Sequence, residues 1–182
     1  MTIRPLAAFA GSLLLLAGTA ACTTMSDTHG MAGDTIGTAS LALANGSPAG
    51  TAMLMRSGDG YSIMVQARGL TPGAHGFHLH TTGRCDAPDF TSAGGHLNPG
   101  GRSHGRLSAQ GPHLGDLTNL QVGSDGTVTA TIEIPNGRAD ALAQIFDADG
   151  TAVMIHAGPD DYRSDPAGDA GSRVACGVLV RS

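Results

Sequence analysis

Lysine is missing from this chain altogether, tryptophan is absent, and glutamate occurs once, as Glu133. Aromatic residues make up 3 % of the 182 residues, and only three cysteines are present. Arginine is therefore the whole cationic complement, ten residues against fifteen acids, for a formal charge of −5. An acidic balance without basic clusters gives no support to nucleic-acid binding. The lone glutamate lies in a regular strand pattern, which makes it a poor general base and counts against a zinc hydrolase. No run of helix-period apolar residues appears, and 28 glycines with few aromatics favour short strands, tight turns and long loops.

The hydrophobic share of 41 % suffices for one ordinary core once the N-terminus is set aside, and 182 residues suit a single domain. Residues 1–21 read as a targeting segment, with Arg4 as the positive start and Leu6 to Ala17 as an apolar stretch short for a membrane span. It ends in Thr19-Ala20-Ala21-Cys22, which resembles a bacterial lipoprotein cleavage site, with Cys22 the lipidated first residue; Thr19 departs from the usual Leu. A cleaved, soluble periplasmic form is the alternative. Residues 22–35, rich in Thr, Ser, Asp and Gly, are expected to be a flexible tether, and 36–182 the folded domain. Export implies an oxidising compartment, where Cys85 and Cys176 read as a disulfide rather than as two buried thiols. Closing a loop of about 90 residues contributes about 4 to 5 kcal/mol in the chain-entropy model.

Thr127-Val128-Thr129-Ala130-Thr131-Ile132-Glu133-Ile134 alternates apolar and polar residues, the pattern of a strand with one face in the core. Strands are also expected at Ile36–Leu43, Thr51–Arg56, Tyr61–Ala67, Ala74–Thr81, Leu117–Val122, Thr151–His156 and Arg173–Val180. Asn45-Gly46, Gly58-Asp59-Gly60, Asp125-Gly126 and Asp149-Gly150 mark hairpin turns. Eight short strands suggest an antiparallel sandwich or barrel. Residues 83–116 and 157–172 resist strand assignment, and loops of that length in a compact domain are usually functional.

Histidine is what the sequence has in excess. His78 and His80 flank Leu79, so on a strand both rings share one face while Leu79 takes the other. His96, His104, His113 and Asp116 follow in the first long loop, and His156 immediately precedes the second. Six histidines and a carboxylate exceed the four ligands of one tetrahedral ion, so two metals are expected.

The segments Gly76-Phe77-His78-Leu79-His80, Ser92-Ala93-Gly94-Gly95-His96-Leu97-Asn98-Pro99, His104-Gly105, His113-Leu114-Gly115-Asp116-Leu117 and Ala170-Gly171-Ser172-Arg173-Val174-Ala175-Cys176-Gly177-Val178 resemble those of copper,zinc superoxide dismutases. His156-Ala157-Gly158-Pro159-Asp160-Asp161-Tyr162 resembles the bacterial exported branch. The resemblance implies an all-β fold, an eight-stranded antiparallel Greek-key barrel with two long functional loops. It implies dismutation of superoxide to dioxygen and hydrogen peroxide, by a monomer or homodimer of the periplasm or cell envelope. Copper would fall to His78, His80, His96 and His156, and zinc to His96, His104, His113 and Asp116, with His96 bridging and carrying a proton in the second half-reaction. Asp160 would accept hydrogen bonds from His78 and His104, Arg173 would attract the anion, and His75 would pack in the barrel. The absent lysines depart from relatives that steer substrate with lysine. Arg102, Arg106 or Arg163 could substitute. A catalytically idle metal buffer or an interaction module on the same barrel would need neither Arg173 nor Asp160.

Overall fold

The computed structural model describes residues 1–2, 34–135 and 140–182. The described residues from 34 onward belong to one compact unit, Met31–Ser182. All but the first two residues of the targeting segment, Cys22 and nearly all of the expected tether lie outside the described residues.

Among the described residues, ten strands account for the eight expected ones. They are β1 (Thr35–Leu43), β2 (Pro48–Ser57), β3 (Gly60–Arg68), β4 (Gly73–His75), β5 (Phe77–His80), β6 (Leu120–Val122), β7 (Thr127–Glu133), β8 (Ala152–His156), β9 (Arg173–Val178) and β10 (Val180–Arg181). Eight form one antiparallel sheet in the order β5-β8-β9-β1-β2-β3-β7, with β10 also on β1. The remaining two, β4 and β6, pair with each other. Since β4 leads into β5 and β6 into β7, that ribbon joins the two edges of the sheet and curls it into the Greek-key barrel.

The expected strand Ala74–Thr81 changes partner at Gly76: β4 pairs with β6, whereas β5 pairs with β8. There the Gly76 N–H donates to the Gly158 carbonyl at 2.7 Å, and its own carbonyl accepts from the His156 N–H at 2.8 Å. A Cβ at Gly76 would sit 2.8 Å from Ala170 Cβ, so this crossing of chains requires glycine. Arg173–Val180 divides at Leu179 without changing partner: β9 pairs with β8 and β1, β10 continues along β1, and the Leu179 N–H extends the β8 register by donating to the Thr151 carbonyl at 2.9 Å. One short helix, α1 (Ala141–Ile145), was not expected from the sequence. Ala141 and Ile145, one turn apart, are buried on the barrel core, but five residues carry too little periodicity to signal a helix.

The core is filled by Leu54, Ile63, Phe77, Leu79, Leu117, Leu120, Val153 and Ile155, all buried. Strands β5 and β8 are buried along their whole length, on both faces. Phe77 and Leu79 enter the barrel, as does Ile155, while the alternate residues His78, His80 and His156 face outward. Next to them Ala152, Met154 and Cys176 pack against Phe90 and Ala93 of the first long loop. The loop thus roofs the outer face of the sheet, and the Cys85–Cys176 disulfide, with Cα atoms 5.7 Å apart, ties it there.

Candidate metal centre

Seven side chains converge under that roof. The four imidazoles of His78, His80, His96 and His156 can each present a nitrogen within 4.8 Å of the others, and so can His96, His104, His113 and Asp116. His96 belongs to both groups. Two single β-bridges bring the elements together: His80 pairs with His96 and His78 with Asp116.

In the first group every ring spends one nitrogen on the protein. His80 Nδ1 donates to the Gly94 carbonyl at 2.9 Å, His156 Nδ1 to the Gly171 carbonyl at 3.1 Å, and His78 Nε2 to Asp160 Oδ2 at 2.8 Å. The other nitrogens, His78 Nδ1, His80 Nε2, His96 Nε2 and His156 Nε2, are buried and have no hydrogen-bond partner among the described residues. Four orphaned nitrogens facing one another are costly unless something binds them, and four imidazoles suit copper. Burial lowers the pKa of His78 to about 3, of His80 to about 2 and of His156 to about 4. These rings are therefore neutral at physiological pH and need shed no proton to ligate.

The second group is built around a carboxylate. His96 Nδ1, His104 Nδ1 and His113 Nδ1 lie 2.9, 3.1 and 3.1 Å from Asp116 Oδ1. Four ligands held 2.0–2.1 Å from a tetrahedral zinc are separated by about 3.3 Å, so this cluster needs little adjustment to close around the ion. Asp116 Oδ2 accepts from the N–H groups of Gly105 (2.7 Å) and His113 (2.9 Å), which aims Oδ1 at the three rings. Burial alone would raise the Asp116 pKa, but hydrogen bonds from His104 and His96 hold it well below the usual carboxylate range. His104 responds in the opposite sense. Burial would lower its pKa, yet Asp116 and Asp160 on either side outweigh this and raise it to about 9.

Asp160 stands between the groups, with Oδ2 on His78 and Oδ1 on His104 Nε2 at 3.0 Å. Although it is buried, hydrogen bonds from those two rings hold its pKa down. Gly168 approaches so closely that a Cβ there would overlap Asp160 Oδ1 and lie 2.7 Å from His104 Nε2. Asn119, which drew no attention in the sequence, fixes the Asp160 backbone: its Oδ1 accepts from the Asp160 N–H and its Nδ2 donates to the Asp160 carbonyl, both at 2.9 Å. The Asn119 N–H in turn donates to the Tyr162 hydroxyl at 2.9 Å.

A cleft of about 370 Å³ opens onto His80, His96 and His156 and is also lined by Arg102, Arg173, Asn98 and Asp165. Arg173 donates to the carbonyls of Phe90 and Gly94, each at 2.6 Å, so the backbone aims its guanidinium. The Gly94 carbonyl serves both Arg173 and His80. His75 lies apart from the metal groups, with Nδ1 at the His156 carbonyl (2.6 Å) and Nε2 at the Thr71 carbonyl (2.7 Å), as its expected structural role requires.

Comparison with known proteins agrees with this geometry. A family model described as copper/zinc superoxide dismutase matches residues 48–179. The Aquifex aeolicus superoxide dismutase [Cu-Zn] 1 is 44 % identical over 140 residues, spanning 74 % of this chain and 81 % of that protein. Among solved structures, a doubly histidine-substituted mutant of a SOD-like protein from Bacillus subtilis superposes with a TM-score of 0.75 at 39 % identity, covering 79 % of this chain and 96 % of that one. The Cu/Zn superoxide dismutase of Brucella abortus gives 0.65 at 32 % identity, covering 79 % and 98 %. The chain belongs to the copper/zinc superoxide dismutase family.

Proposed function

We propose that this protein dismutes superoxide in the cell envelope, two superoxide anions and two protons giving dioxygen and hydrogen peroxide. His78, His80, His96 and His156 would hold copper, and His96, His104, His113 and Asp116 zinc. One observation carries the reading: four orphaned imidazole nitrogens converge beside a carboxylate-centred cluster, with one histidine common to both. Likeness alone would not suffice, since one similar structure is of a protein described only as SOD-like.

Copper held by His78, His80, His96 and His156 would supply a one-electron redox couple, and zinc held by His96, His104, His113 and Asp116 would supply fixed positive charge. The chain contributes the rest. His96 presents Nε2 to the copper group while Nδ1 stays at the zinc group, so Nε2 is the atom that can hold a proton and release it to the second superoxide. Asp160 keeps the tautomers of His78 and His104 fixed, as outer-shell carboxylates do for ligating imidazoles. Arg173, aimed by two carbonyls, offers a small anion a charged hydrogen-bond donor at the floor of the cleft. The purified protein should turn over superoxide only with copper, at about one copper and one zinc per chain counted on the same sample. Tight binding of both metals without turnover would favour the metal-buffer reading instead.

The N-terminal segment and the disulfide both support export, and Cys22 is the proposed lipid-bearing residue. Cys22→Ser should move the protein from the membrane fraction to the soluble one; persistence in the membrane fraction would refute the anchor.

A further inference from the structure

A chain without lysine must draw an anion to its metals with arginine. Of the three arginines offered by the sequence as substitutes, Arg106 lays its guanidinium over the Tyr162 ring, 4.3 Å from the centroid. Neither it nor Arg163 is among the residues lining the cleft, whereas Arg102 is, together with Arg173, His80, His96 and His156. The Arg102 backbone is pinned. Its N–H donates to Asn98 Oδ1 at 2.9 Å, and its carbonyl accepts from Asn98 Nδ2 at 2.8 Å and from His113 Nε2 at 3.0 Å. Its side chain is exposed and, among the described residues, makes one long hydrogen bond, from Nη1 to the Gly111 carbonyl at 3.3 Å. Asp165 also lines the cleft, but its Oδ1 is engaged by the His104 N–H at 2.6 Å. Arg102 therefore stands on a fixed backbone between this cleft and a neighbouring pocket that it shares with Asn98, Gly100, Pro112 and Asp140, with its guanidinium exposed.

We infer that Arg102 is the second anion-recruiting residue of this cleft, drawing small anions from solvent toward Arg173 and the copper histidines. The copper at these histidines and the identity of the anion as superoxide rest on the function proposed above. Because the carbonyl that places Arg102 also anchors the ring of His113, the loop geometry that gathers the zinc ligands also sets where this charge stands. Global charge does not oppose the effect strongly, since water screens charges beyond about 8 to 10 Å at physiological salt.

The test compares wild type with Arg102→Ala, Arg102→Glu and Arg102→Lys, each loaded with copper and zinc and assayed for metal content. Azide, a small anion that binds copper(II), is titrated by visible absorption, and dismutation is followed across ionic strength. Arg102→Ala should weaken azide binding about two- to fivefold, lower the low-salt rate constant by a similar factor and flatten its salt dependence; Arg102→Glu should do more, and Arg102→Lys should restore both. Unchanged azide affinity in metal-replete Arg102→Ala overturns the inference. So does a lysine variant that fails to restore it, because the residue would then act through its shape. A wild type that binds azide in this Arg102-dependent way but does not turn over superoxide would remove the dismutase reading and leave the anion site standing.

Discussion

The proposed copper and zinc groups share His96 yet are assembled by opposite means. The copper group draws on ordered strands: His78 and His80 come from β5 and His156 from β8, and the β5–β8 ladder sets their spacing before any metal binds. Apart from His96 its outer bonds go to two carbonyls and to Asp160, and burial leaves the rings neutral. The zinc group comes from a single stretch of loop, residues 96–116, held by buried charge: one carboxylate and three imidazoles, of which His104 is pushed up to about 9. Without metal, the first is a preformed cage of neutral donors, and the second is closed by a proton where the cation would be. A redox site gains from a rigid frame, and a structural ion gains from a loop that the ion itself completes.

The contrast breaks most sharply at the copper side. His156→Ala should abolish dismutation while zinc content stays near one per chain; full activity in that variant would sink the copper assignment. Asp160→Ala should weaken zinc retention about 10- to 100-fold, the usual effect of losing a carboxylate behind a ligating histidine, and weaken copper retention less. Unchanged zinc content under chelator challenge would remove Asp160 from this role.

Proton counting sharpens the comparison further. At pH 7.5 zinc entering the metal-free protein should release about one proton, from His104, whereas copper entering the four neutral imidazoles should release almost none. Calorimetry in buffers of different ionisation enthalpy measures this, and equal release by both metals would contradict it. The same shifts set the pH dependence of metal-free stability. His104, raised when folded, contributes stability that is complete below its ordinary 6.5 and lost as pH rises through about 9. His78 and His156, lowered to about 3 and about 4, take up protons more readily when unfolded, so stability present above 6.5 is lost as pH falls toward those values. The smallest effect is expected at Arg173. Arg173→Glu should slow turnover and reverse the benefit of low salt, and an unaltered salt profile would exclude it from anion attraction.

The sequence was most legible where chemistry lies in side chains and in a period of two. The strand pattern located the strands of the barrel, although Ala74–Thr81 and Arg173–Val180 each divide in two, and His78, Leu79 and His80 divide between site and core as their spacing demands. Six histidines with Asp116 announced two metals, but the division between them came from family resemblance, because spacing cannot show that His96 faces both ways. The backbone groups that finish the site carry no signature. Carbonyls of Gly94, Gly171 and Arg102 orient His80, His156 and His113, and any residue could have supplied them. Asn119 was overlooked because its partner Asp160 lies 41 residues away, across the fold. The partner switch at Gly76 was hidden for a related reason: the run from Ala74 to Thr81 reads as one strand, and only the approach of Ala170 from the second loop requires the break.

Anomalous diffraction at the copper and zinc edges, from crystals of the fully metallated protein, tests the central claim most directly. The account predicts copper among His78, His80, His96 and His156, zinc among His96, His104, His113 and Asp116, and the His96 ring between the two ions. Zinc in the four-histidine group, or a single ion drawing on both groups, would contradict it.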